Sequence, residues 1–139
     1  MEGFFETVTR GNVSEVKIVL ASVVLALAVY QVTLMAVGYG KLRPSFLGPG
    51  PASGAHRAIG DAIVVIAVLV ALMCVSVFGF EDDASAHVVV ACALLAALAL
   101  KVVVVRWAHG LSRLLPALGI SVFVLFAATW ATAAAEYVL

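Results

Sequence analysis

Charge is what this sequence has least of. Asp, Glu, Lys and Arg make up 12% of its 139 residues, eight acids against eight bases, where soluble domains carry about 25%. A net charge of zero argues against nucleic acid as a partner, because phosphate binding needs a basic surface. Cysteine is nearly absent too. Cys74 and Cys92 both lie in apolar runs and form no Cys-x-x-Cys, so they read as packing residues rather than a disulfide, zinc or redox pair. The sequence also lacks a Gly-rich phosphate loop, His-Glu-x-x-His, Gly-x-Ser-x-Gly and any two carboxylates at one depth, so a self-contained enzyme is not expected and no catalytic residue is assigned. A chain of buried acids, such as a proton pump needs, is missing as well.

What remains is apolar. Hydrophobic residues make up 65% of the chain and the mean hydropathy is +1.19, which places it in a lipid bilayer. One span takes roughly 20 residues, so the chain holds four spans and little else. They are expected at 17–38, 57–80, 85–107 and 114–135, as a single all-α domain over 1–139: an integral membrane four-helix bundle running up-down-up-down. Residues 1–16 read as an interfacial segment rather than a signal peptide, and Asn12 with Glu15 is placed to cap the first span. Residues 39–55 are rich in Gly and Pro and read as the one long loop. Glu81-Asp82-Asp83 ends the second span, because carboxylates enter hydrocarbon at a cost. The turn there is short and implies a hairpin of spans two and three. Pro116 is tolerated in the first turn of the fourth.

The loop side collects Lys41, Arg43, Arg57, Arg106 and Arg113, with Lys101 within snorkelling reach. The other side holds most of the acids. Excess base marks the cytoplasmic face, so loop 39–55 is expected to be cytoplasmic and both termini outside.

Three histidines are candidates for a b-type haem, whose axial ligands come from imidazoles on facing helices. His56 opens the second span on the loop side and His87 opens the third on the opposite side. Within a hairpin most of a bilayer, about 30 Å, lies between them, so one chain does not offer both to one iron. His109 returns to the loop side. His56 and His87 remain as single-ligand candidates, or as ligands shared with a second copy or another subunit, and an interfacial hydrogen-bonding role is open to each. Asp61 and Lys101 approach the loop side at compatible depths and are expected to pair, either as a lock within the bundle or as part of a proton or quinone site beside Arg57.

The segment Ser53-x-x-His56-Arg57-x-x-Gly60, preceded by Arg43-Pro44, resembles the start of the first membrane helix in the cytochrome b anchor subunit of succinate dehydrogenase. The resemblance implies that Ser53 and Arg57 line a quinone pocket. A hydroxyl and a guanidinium four residues apart share a helix face and both donate to a carbonyl. Here the segment opens the second of four spans, not the first of three, its Arg-Pro lies closer to the serine, and the family's haem-binding histidine is not found in the next helix. The expected function is a membrane subunit of a respiratory-type electron-transfer complex, working with quinone or haem b. The alternative is a non-catalytic accessory subunit that binds no cofactor. Expected partners are the lipid bilayer and other membrane subunits or further copies of the chain.

Overall fold

In the computed structural model, which describes residues 2–79 and 85–138, a short helix α1 (Glu2–Thr9) leads into four long ones. These are α2 (Val13–Gly38), α3 (Pro49–Phe78), α4 (Ser85–Arg106) and α5 (Leu115–Val138), with a 3-10 helix at His109–Leu114 before α5. No strand occurs among the described residues. All four long helices are long and apolar enough to cross a bilayer, and the protein is an all-α, multi-pass membrane bundle.

Neighbouring helices run antiparallel. Gly38 lies beside Ser53, and Gln31 beside Gly60; Asp61 reaches Arg106 and His87 reaches Thr132. Around the bundle the order is α2, α3, α4, α5, with α2 on α3 and α4 on α5 the closest pairs and α5 closing onto α2. The expected hairpin of spans two and three is therefore antiparallel, but its α3–α4 seam is the most sparsely packed of the four. Small residues explain the contrast, because Ala28, Gly38, Ala52 and Gly60 let the α2 and α3 backbones approach closely. The acidic turn Glu81-Asp82-Asp83 lies outside the described residues.

One core cluster takes residues from every long helix: Val24, Ile63, Ala67, Leu94, Leu98, Val122 and Phe126. A second, at the loop end, joins Leu34, Val37 and Ala52. Inside the chain only 11% to 22% of each span's most apolar stretch is buried, so most apolar surface points outward, where hydrocarbon or another subunit must cover it.

The loop is shorter than expected. α2 stops in a Schellman motif: the Lys41 N–H bonds Ala36 O and the Gly40 N–H bonds Val37 O, with Gly40 at φ +71°, a left-handed conformation that glycine adopts without strain. α3 then starts at Pro49 rather than Arg57, and 49–55 is helix, not loop. Proline suits the first helical position, since its missing N–H has no intrahelical partner there and its φ is preset. Pro49 therefore starts the helix that it was expected to break. Asn12 does take the N-cap position of α2, but its side chain makes no cap hydrogen bond.

Candidate functional site

Because α3 begins early, the whole segment 53–61 is helical, and its polar residues divide between two faces. Ser53, Arg57 and Asp61 recur every four residues along one face, all exposed. His56, Gly60, Ile63 and Ala67 follow the other, on which Ile63 and Ala67 enter the core.

On the outer face, Arg106 Nη2 donates to Asp61 Oδ1 at 3.3 Å, with the two side chains 58% and 63% exposed. Asp61 thus pairs with Arg106, not with Lys101 as expected. Helix geometry accounts for this: Asp61 is rotated about 100° from Gly60, away from the bundle axis, whereas Lys101 continues the inward stripe of Leu94 and Leu98. Lys101 is half-buried, and among the described residues no carboxylate lies within salt-bridge distance of it.

The inner face holds the polar group that sequence reasoning did not single out as a site. Gln31 of α2 is 8% exposed, the buried polar residue among the described positions. Its Nε2 donates to the backbone O of His56 at 2.8 Å. That carbonyl accepts, so the amide must present nitrogen to it and turn Oε1 elsewhere. Gly60 makes room for this, because a Cβ there would lie 3.3 Å from Nε2. Gln31 Oε1 and His56 Nδ1 are both closed off from solvent, without a hydrogen-bond partner among the described residues. The loop end therefore holds a buried amide of α2 against the turn of α3 that carries His56. Beside it, under the loop, Val37, Leu42, Arg43, Pro44 and Leu47 line a groove of about 320 Å³.

His87 sits at the other end. Its Nδ1 lies 2.9 Å from Thr132 Oγ1, while the Thr132 hydroxyl is 3.0 Å from the Ala128 and Thr129 carbonyls. The Thr132 hydroxyl thus links the His87 ring to the backbone of α5. From His87 to the level of Lys101 is about 21 Å along α4, and His56 and His87 do not meet within the chain. His109 is exposed on the 3-10 helix. Among the described residues no group of three or more His, Cys, Asp or Glu side chains could hold a metal ion. Cys74 and Cys92 are both free thiols.

Residues 3–138 match the model of a family of unknown function, DUF6529. The chain belongs to that family. No curated protein and no solved structure matches it. In this DUF6529 member, two residues of the site had a signal in the sequence. Gln31 is the one glutamine of the chain, set in the middle of an apolar run. Gly60 falls four residues after His56, on the same helix face. Arg106 as the partner of Asp61 had none, since the choice between Arg106 and Lys101 depends on the rotation of α4.

Proposed function

We propose that the protein is a membrane subunit of an electron-transfer complex, working with quinone or b-type haem at its loop end, and that this end is cytoplasmic. One observation carries the reading: His56 turns its ring inward and leaves Nδ1 buried and unpartnered, next to an equally unpartnered Gln31 Oε1. An orphaned buried polar atom costs about 1–3 kcal/mol, and such a cost is retained where a ligand offsets it. Ser53 and Arg57, one turn apart at the same end, supply donors for a quinone carbonyl. In the haem variant of the reading, His56 and His87 are single axial ligands at opposite ends, each completed by another subunit or a second copy. Sidedness rests on Lys41, Arg43, Arg57, Arg106 and Arg113 gathering at the loop end.

The test is a reduced-minus-oxidised absorption spectrum of the purified protein, together with equilibrium binding of a short-chain quinone to the protein in nanodiscs. A haem band lost on replacing His56 or His87, or quinone binding weakened by Arg57→Ala, supports the reading. Neither haem nor quinone binding would sink it.

A non-catalytic accessory subunit is the second reading, and the outer face of α3 favours it. Arg57, Asp61 and Arg106 are exposed near the edge of the apolar runs, where a polar surface of another subunit satisfies them better than lipid does. Under this reading Arg57→Ala and Asp61→Ala release the partner during co-purification, and no cofactor is found.

A further inference from the structure

The groove under the loop, about 320 Å³ in volume, lies at a definite depth. At the far end of α2, Lys17 Nζ sits 4.5 Å from the centre of the Phe78 ring, a cation at the edge of two apolar runs. From Lys17 to Val37, in the groove wall, the helix rises about 30 Å, the thickness of the hydrocarbon core. The groove therefore opens where acyl chains give way to headgroups. Phe46, in the loop above it, is 87% exposed and Leu42 is half exposed, so the loop turns apolar side chains outward at that level, as segments resting on a bilayer do. The volume falls within the range of small-molecule sites, about 300–1,000 Å³.

Its walls divide in the same way as a lipid. Val37, Leu42, Pro44 and Leu47 are apolar, Arg43 is the charged member, and Leu47 packs on the Leu34, Val37 and Ala52 cluster, which fixes that wall. The last carbonyls of α2, those of Met35, Ala36 and Val37, already accept from the Tyr39, Lys41, Leu42 and Gly40 N–H groups. No carboxylate among the described residues lies within salt-bridge distance of Arg43 or Lys41. Residues 39–61 and 101–116 together hold six bases and one acid, Asp61, and Asp61 is taken by Arg106. This end of the bundle thus carries uncompensated positive charge beside an apolar groove at headgroup depth. We propose that the groove is a site for one anionic phospholipid of the surrounding bilayer, its phosphate on Arg43 with Lys41 adjacent, and one acyl chain leaving along Leu42 and Leu47. Basic pockets at the ends of membrane helices hold acidic headgroups by this combination of charge and apolar contact. The site goes beyond the quinone or haem reading and does not depend on it.

The experiment measures binding of short-chain phosphatidylglycerol, and of phosphatidylcholine with the same chains, to the full-length protein in a neutral detergent by titration calorimetry. The wild type is expected to prefer phosphatidylglycerol by about fivefold for each cation that meets the headgroup. Arg43→Ala, at an exposed position, is expected to lower phosphatidylglycerol affinity about fivefold and to leave phosphatidylcholine nearly unchanged. Leu42→Ser is expected to weaken both lipids alike. Arg113→Ala removes a cation of the same end that does not line the groove and should change neither. Equal binding of the two lipids by the wild type, or binding of neither, overturns the proposal. So does an equal loss in Arg43→Ala and Arg113→Ala, which would mean diffuse attraction to the whole basic end. Displacement of phosphatidylglycerol by excess inorganic phosphate would make the groove a simple anion site, and displacement by a short-chain quinone would assign it to the redox ligand; either result overturns the lipid as occupant.

Discussion

Replacing Gln31 with leucine should stabilise the ligand-free protein, although it deletes a 2.8 Å hydrogen bond. That bond runs to the His56 carbonyl, which lies within α3 and keeps its helical partner, so its loss costs about 0.5–1.5 kcal/mol. Against this, the substitution removes the orphaned Oε1, relieving about 1–3 kcal/mol, and places an apolar side chain of similar volume at an 8% exposed position. The balance runs from about −0.5 to about 2.5 kcal/mol, centred in favour of the variant. With about 4 °C per kcal/mol for a chain of this size, the melting temperature rises by up to about 10 °C. Thermal unfolding in detergent without added quinone, followed by far-UV circular dichroism, checks it. Gln31→Ala is the control and should lose stability through the cavity it leaves. A fall of more than about 2 °C for Gln31→Leu, half a kcal/mol by the same conversion, would mean that Oε1 has a partner within the bundle and would refute the reasoning.

The outer ion pair should matter little. Asp61→Asn and Arg106→Gln should each change unfolding free energy by under about 1 kcal/mol, because both side chains are more than half exposed; a larger loss would show that the pair is covered in solution. Trp130→Phe, which removes the 3.0 Å bond from Nε1 to Ser22 Oγ, should cost about 1 kcal/mol, and a cycle with Ser22→Ala should show coupling. Thr132→Val removes the hydroxyl facing His87 Nδ1 and should cost about 1–2 kcal/mol, measured in the same unfolding assay. For sidedness, Ser45→Cys, exposed in the loop, should react with a membrane-impermeant maleimide from the cytoplasmic face of oriented vesicles. Labelling from the other face would reverse the proposed orientation.

Four apolar runs of spanning length, separated by acids or by Gly and Pro, made the bundle legible from sequence, because hydrocarbon imposes its thickness on composition. Helix starts were less legible. Pro49 and Pro51 carry the same signal whether they end a loop or begin a helix, and the choice went to the helix because a first turn tolerates the missing N–H. The depths of His56 and His87 followed from chain direction alone. What sequence left open was rotation about the helix axes. Asp61 and Lys101 were expected at compatible depths, yet Asp61 reaches Arg106, five residues further along α4, and Gln31 gained significance only when α2 was seen to press its amide against the turn of α3 freed by Gly60.

The uneven packing around the bundle has a kinetic consequence. α2 with α3, and α4 with α5, are each tightly packed pairs of neighbours in sequence, so each can leave the translocon as a finished helical pair. The two pairs then dock mainly through α2 and α5. The opposite seam, between α3 and α4, is the most sparsely packed and offers the least resistance to separation of the two pairs. The Asp61–Arg106 pair crosses this sparse seam, so a cross-link between α3 and α4 would add more restraint there than at any other seam of the bundle.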